Sequence, residues 1–153
     1  MKIIFLDIDG VLIIDELLYE SPKDDPPPFN KDCVKILNDI LQETNSMIVL
    51  SSTWKKIWDL KRLDFIFKFN GIIKSPLDIT SDFNNREKEI TDYVQRNKVN
   101  DFLILDDAQL DIFPKNFIQC QMEYGLKGEG IKERAISILN LAPDYDKRAE
   151  IME

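Results

Sequence analysis

Short apolar runs, separated by longer segments with helical spacing, constrain the fold of this chain more than any other feature. The runs are KIIFL at residues 2–6, MIVL at 47–50, GIIK at 71–74, FLIL at 102–105 and FIQC at 117–120. Their β-branched and aromatic residues indicate strands, and the spacing between them predicts helices over residues 30–44, 54–70, 86–97 and 130–142. This alternation predicts an α/β protein with a doubly wound, Rossmann-like, mainly parallel five-stranded sheet flanked by helices.

The length of the chain favours one domain, which we place at residues 1–142. Residues 13–29 include the proline-rich stretch SPKDDPPPF, and proline opposes both helices and central strands, so we predict a surface loop or flap there. Residues 143–153 begin with a proline after the last predicted helix, which predicts a C-terminal tail.

Composition excludes several classes of protein. Histidine is absent, so catalytic triads and zinc sites that need histidine are impossible, and no GxxxxGK[ST] phosphate loop occurs. The apolar runs are shorter than the roughly 18 residues that span a bilayer, and acids interrupt the start MKIIFLD, so we expect a cytoplasmic protein without a membrane partner. The net charge of −8 opposes a stable nucleic-acid partner.

Polar residues come immediately after three of the predicted strands. After KIIFL come Asp7, Asp9 and Gly10; after MIVL come Ser51, Ser52 and Thr53; after FLIL come Asp106 and Asp107. Ligands of open α/β sheets lie beyond the carboxyl ends of the strands, so these side chains are expected to converge. A lone aspartate more often caps a helix. Four converging carboxylates, however, would repel one another and would need a hard cation to neutralise them. Mg²⁺ is the cation that suits such a site best.

Acids in this arrangement suit phosphoryl transfer. One aspartate, such as Asp7, can attack phosphorus, and a second one two residues on, Asp9, can give a proton to the leaving group and take one from water. Gly10 would let the backbone pass close to the phosphate.

The other phosphoryl oxygens need hydrogen-bond donors and positive charge. Ser51 could supply the first, together with the backbone amides of the residues that follow it, Ser52 and Thr53, near a helix start. Arg86 or Lys88 in the stretch NNREKEI could supply the second, although cations in such a helical stretch are often only solvated.

Four motifs, in this order and spacing, resemble the haloacid dehalogenase-like (HAD-like) phosphohydrolase superfamily, and most of all its capless members associated with RNA repair proteins. The motifs are FLDIDGVL, IVLSSTW, NNREKEI and FLILDDAQLD. The resemblance implies that Asp7 is the nucleophile and a metal ligand. It implies that Asp9 is the acid and base and lends its backbone carbonyl to the metal, and that Ser51 binds the phosphoryl group.

The resemblance also assigns the remaining site residues. Asp106 would coordinate Mg²⁺ directly, and Asp107 would either coordinate it as well or contact the residues that do. The R-x-x-E-I pattern of the subgroup favours Arg86 as the basic residue, whereas the lysine of the wider superfamily would favour Lys88.

A Mg²⁺-dependent phosphatase, a phosphoric monoester hydrolase that forms an aspartyl-phosphate, is the function that the resemblance implies. Its substrate would be a phosphorylated small molecule or, alternatively, a polynucleotide or nucleotide end. A non-catalytic regulatory module that binds metal or phosphate is the other alternative, but such a module could lose Asp9. The chain leaves no room for a full cap domain, so Trp54 and Trp58 could line an open site, although aromatic residues at helical spacing are more often core.

Overall fold

The computed structural model describes residues 1–14 and 26–141, and its centre is a five-stranded parallel sheet. The strands are β1 (Lys2–Leu6), β2 (Met47–Leu50), β3 (Pro76–Ile79), β4 (Asp101–Asp106) and β5 (Phe117–Gln119). Their order across the sheet is β3-β2-β1-β4-β5, and each neighbouring pair is parallel. The predicted doubly wound α/β fold is therefore confirmed, with β1 at its centre.

Helices cover both faces of the sheet. They are α1 (Lys31–Thr44), α2 (Leu60–Phe69), α3 (Arg86–Arg96) and α4 (Ile131–Asn140). Successive residues of a strand point to opposite faces. In β1, Ile4 and Leu6 lie in the core that contains α1, α2 and α4, whereas Ile3 and Phe5 pack on the other face with α3. The central strand is thus buried on both sides, which explains its unbroken apolar sequence.

The third strand is not where the apolar run GIIK predicted it. Gly71 has a φ of +79° and follows the end of α2, with its amide donating back to a carbonyl of that helix, a common way for a helix to stop. Ile72 then packs into the core, and Ile73 is exposed. The strand forms instead at Pro76–Ile79, where pairing with β2 outweighs a weak sequence pattern.

The helix predicted over residues 54–70 is shorter than expected, because a 3-10 turn at Thr53–Lys56 precedes it. Asp59 caps α2, since its side chain accepts a hydrogen bond from the Arg62 amide at 2.9 Å. The helix starts one residue after this cap. By contrast, α1 starts where predicted, with Asn30 as its N-cap.

The predicted loop or flap at residues 13–29 lies largely outside the described residues, and the predicted tail at 143–153 lies wholly outside them. The domain boundary at residues 1–142 therefore stays a prediction. Phe29, which is described, packs against two aromatic rings of the core. None of the helices in the described part of the chain is long and apolar enough to cross a membrane.

Candidate active site at the carboxyl edge of the sheet

The carboxyl ends of β1, β2 and β4 lie side by side and hold three of the predicted site residues. The Asp7 amide donates to the Leu105 carbonyl at 3.0 Å, and the Ser51 amide donates to the Leu6 carbonyl at 3.0 Å. These bonds extend the strand pairing by one residue and place Asp7 and Ser51 at the same edge as Asp106, the last residue of β4. All three side chains are buried.

Three carboxylates meet at this edge. One oxygen from each of Asp7, Asp106 and Asp107 lies within 4.8 Å of the others, and we call these three residues the carboxylate set. The Asp106 side chain accepts a hydrogen bond from the Ala108 amide at 3.0 Å, which holds its orientation. Oxygen donors of this kind are the ligands that Mg²⁺ prefers. The Asp9 side chain is not in the set, and its predicted carbonyl contact with a metal stays a prediction.

Arg86 reaches the carboxylate set from the first residue of α3. Its Nη1 lies 2.5 Å from Asp106 Oδ2 and 3.5 Å from Asp7 Oδ2. The Arg86 side chain is 19 % exposed. Burial by itself would lower the pKa of Arg86, but the two carboxylates raise it above its usual value. Arg86 is therefore a fixed positive charge that neutralises part of the set.

Burial disfavours the charged form of Asp7. The residue is 4 % exposed, and its Oδ1 accepts a hydrogen bond from the Ile8 amide at 2.9 Å. Burial, to which the charge of Asp106 adds, raises the pKa of Asp7 to about 8 despite the opposing effect of Arg86. Burial likewise raises the pKa of Asp107. The carboxylate set thus lacks positive charge near neutral pH, which a divalent cation would supply.

Gly10 lies directly against Asp107. Its φ is +79°, a left-handed conformation that favours glycine. A Cβ at this position would overlap the Asp107 carboxylate. The Asp107 carboxylate is therefore the group that approaches Gly10 in the structure, and the close approach of a phosphate to Gly10 stays a prediction.

The three polar residues after β2 have different surroundings. Ser51 is fully buried, and its Oγ has no hydrogen-bond partner among the described residues, which is costly for a buried hydroxyl. The Ser52 Oγ accepts a hydrogen bond from the Trp54 amide at 3.2 Å and caps the 3-10 turn, while Thr53 is exposed. Ser51 therefore has the hydroxyl that a ligand group would satisfy, and the substrate-binding roles of Ser52 and Thr53 stay predictions.

Asp9 is half-buried and contacts Trp54, a residue whose helical spacing favours a place in the core. Trp54 Nε1 donates to Asp9 Oδ2 at 3.1 Å, and the ring is buried. Trp54 thus belongs to the core and contacts a predicted site residue as well. No local sequence pattern indicates this contact, because 45 residues separate the two positions.

Arg86 and Lys88, the two alternatives for the basic residue, lie in different surroundings. Lys88 is exposed, and its Nζ lies 5.0 Å from the centroid of the Phe83 ring. Arg86 is the one that contacts the carboxylates. A catalytic role for either residue stays a prediction, and the geometry favours Arg86.

A buried ion pair beside the site was missed from the sequence. Lys55 Nζ lies 2.7 Å from Glu89 Oε1 and 2.9 Å from Thr80 Oγ1, and the Lys55 and Glu89 side chains are 3 % and 4 % exposed. Glu89 also accepts a hydrogen bond from the Phe83 amide at 2.7 Å. The pair joins the 3-10 turn after β2 to α3, one helical turn beyond Arg86. No local sequence pattern indicates the pair, because 34 residues separate Lys55 from Glu89.

Comparison with known proteins supports the resemblance noted in the sequence. Residues 3–131 match the family described as the HAD domain in Swiss Army Knife RNA repair proteins. A search of curated proteins and a search of solved structures each gave no match. The matched region includes the carboxylate set, Ser51 and Arg86, and it spans well over half of the 153 residues. The chain therefore belongs to this family of HAD domains from Swiss Army Knife RNA repair proteins.

Proposed function

We propose that the protein is a Mg²⁺-dependent phosphatase that hydrolyses a phosphomonoester through an aspartyl-phosphate on Asp7. Membership of the HAD family supports a phosphatase-type hydrolase in general. The observation that carries the finer proposal is the carboxylate set, whose three oxygens lie within 4.8 Å at the edge where Arg86 and Ser51 also lie. Phosphoryl transfer needs this combination of nucleophile, positive charge and donors.

The residues present fit Mg²⁺. Asp7, Asp106 and Asp107 would hold the ion through carboxylate oxygens, and the raised pKa of Asp7 indicates a deficit of positive charge at the site. When bound, Mg²⁺ would neutralise charge on the phosphoryl oxygens. It would also keep Asp7 ionised, as a nucleophile must be.

Each step of the proposed reaction is carried out by a particular residue of the chain. An Asp7 oxygen attacks phosphorus, the bond from phosphorus to the leaving oxygen breaks, and Asp9 gives its proton to that oxygen. Water then attacks the same phosphorus, Asp9 takes a proton from it, and the bond to Asp7 breaks to release phosphate. Ser51 would donate its otherwise unpaired hydroxyl to a phosphoryl oxygen, and Arg86 would balance the developing charge.

The lack of a cap domain in the described part of the chain bears on the substrate. No described residue forms a cap domain over the carboxyl edge, so a small phosphorylated molecule or the end of a larger chain could reach Asp7. The family description names RNA repair proteins, which favours a nucleotide or polynucleotide end as the alternative substrate. Against a polynucleotide, Lys55 is buried in an ion pair and Lys56 pairs with Asp82 at 3.4 Å, and the net charge of −8 repels a phosphate backbone.

Hydrolysis of p-nitrophenyl phosphate tests the proposal. We expect wild-type activity with Mg²⁺, none after chelation, and a loss of at least about a thousand-fold in kcat/KM for Asp7→Asn. Asp101→Asn is the matched control, because it makes the same change at the other end of β4, and it should keep wild-type activity. Full activity of Asp7→Asn, or activity indifferent to chelation, would refute the mechanism.

Two alternatives are separated by further assays. A non-catalytic regulatory module would bind Mg²⁺ in calorimetry but show no turnover, and it would have no use for the oriented acid Asp9. A panel of phosphorylated metabolites, set beside 3′- and 5′-phosphorylated oligonucleotides, identifies the substrate class. A kcat/KM that is higher for the oligonucleotides and falls steeply with salt would favour the repair phosphatase.

A further inference from the structure

The indole N–H of Trp54 contacts a carboxylate of the proposed site. It donates to Asp9 Oδ2 at 3.1 Å. Asp9 lies outside the carboxylate set, so the contacts that orient the other acids do not orient this one. A buried indole N–H needs some acceptor, and here the acceptor is the acid that the proposed reaction uses for proton transfer.

Packing fixes the position of the Trp54 ring. Its centroid lies 4.9 Å from that of Trp58 and 5.8 Å from that of Phe29. Its backbone amide donates to Ser52 Oγ, so the ring is anchored to the 3-10 turn after β2. A ring held in this way offers its N–H from a fixed point, and the half-buried Asp9 carboxylate must orient to meet it.

A carboxylate that is held at one oxygen presents the other. With Oδ2 engaged by the indole, Oδ1 of Asp9 is the oxygen that remains for the proton transfer proposed above. Proton transfer depends steeply on the distance and alignment of donor and acceptor. Loss of the indole N–H would therefore leave the acid in the site but misaligned.

We propose that Trp54 is a positioning residue for proton transfer by Asp9, an inference that rests on the proposed function. As the bond from Asp7 to phosphorus forms and the bond to the leaving oxygen breaks, the proton on Asp9 Oδ1 passes to that oxygen. The indole acts by fixing which Asp9 oxygen faces the leaving group. Its effect must grow as the leaving group becomes more basic, because a good leaving group departs without a proton.

The leaving-group dependence of Trp54→Phe tests this inference, since phenylalanine keeps an aromatic ring and lacks the N–H. We expect kcat/KM for an alkyl phosphate to fall about 10- to 100-fold, while kcat/KM for p-nitrophenyl phosphate falls less than about 3-fold. Trp58→Phe keeps a ring against Trp54 and leaves the Trp54 N–H in place, so any change that it causes should be the same for both phosphates. Urea unfolding of both variants measures any loss of packing.

A second variant separates the N–H from the shape of the ring. The chain has two tryptophans, so in the Trp58→Phe background benzothienylalanine can be placed at position 54 alone, where it keeps the indole shape without the N–H. It should reproduce the leaving-group-dependent loss. Equal losses on both phosphates, or no loss on either, would overturn the inference and leave the proposed function standing. A wild-type protein inactive on both would overturn the proposed function and the inference with it.

Discussion

Gly10 meets two requirements at once, a φ of +79° and close contact with the Asp107 carboxylate. Gly10→Ala should strain the backbone and displace Asp107. We expect the free energy of unfolding to fall by about 2–5 kcal/mol, from backbone strain and overpacking together, and Mg²⁺ binding to weaken. Urea unfolding and calorimetric titration with Mg²⁺ measure the two effects.

Gly71 provides the matched control for this substitution. It has the same φ of +79°, but an added Cβ would meet nothing within 4 Å. Gly71→Ala should therefore show the strain alone, about 1–2 kcal/mol, and leave Mg²⁺ binding unchanged. If Gly10→Ala binds Mg²⁺ as well as the control does, Asp107 does not take part in the site.

Asp7 should make the metal-free protein less stable as pH rises. Burial first, and Asp106 second, raise its pKa in the folded state from 3.8 to about 8. Between these values the folded state binds more protons than the unfolded state, so the free energy of unfolding falls by up to about 1.4 kcal/mol per pH unit. This contribution is fully present below pH 3.8 and is lost as pH rises through about 8.

Comparison of wild type with Asp7→Asn measures this effect. In chelator, urea unfolding between pH 5 and pH 8 should show the variant gaining stability relative to wild type as pH rises, because asparagine does not titrate. Saturating Mg²⁺ should reverse the order at high pH, since the ion binds the ionised aspartate. Parallel pH profiles for the two proteins in chelator would show that Asp7 has an ordinary pKa.

Between elements, the Lys55–Glu89 pair holds the 3-10 turn after β2 against α3. Both side chains are almost fully buried, so removing one partner leaves the other charge without compensation. Lys55→Met should lower the free energy of unfolding by about 3–5 kcal/mol, and Lys55→Met with Glu89→Gln should recover most of that loss. A double-mutant cycle by urea unfolding measures the coupling.

An exposed ion pair on α1 is the control for the buried Lys55–Glu89 pair. Lys35 Nζ lies 3.3 Å from Asp39 Oδ2, and the Lys35 side chain is 76 % exposed. Lys35→Met should leave the free energy of unfolding at the wild-type value, because solvent screens such pairs. A Lys55→Met variant as stable as this control would mean that the buried pair does not hold the turn and α3 together.

Two of the apolar runs that form strands show why burial makes a strand visible in sequence. KIIFL and FLIL form β1 and β4 because helices cover both of their faces. GIIK is apolar for a different reason. Gly71 turns the chain at the end of α2, and Ile72 then packs into the core. In β3 only Pro76 is buried, so its sequence has little periodic signal and pairing with β2 determines the strand.

Across the molecule, the sheet order decides which strand ends meet. β1 lies between β2 and β4, so Asp7, Ser51 and Asp106 become neighbours although they are far apart in sequence. The α/β alternation was sufficient to predict this convergence, because such sheets bind ligands at their carboxyl edge. The contact of Trp54 with Asp9 could not be predicted, since it depends on how the 3-10 turn packs over that edge.

The proposed phosphorylation of Asp7 during turnover can be tested directly. Borohydride reduces an acyl-phosphate on aspartate to homoserine, which peptide mass spectrometry locates in the chain. Asp9→Asn should help the intermediate accumulate, because p-nitrophenolate leaves without a proton whereas hydrolysis of the intermediate needs the base. With Mg²⁺ and p-nitrophenyl phosphate we predict homoserine at position 7, and none without substrate. Turnover with Asp7 unmodified, or conversion of Asp106 in its place, would refute the mechanism.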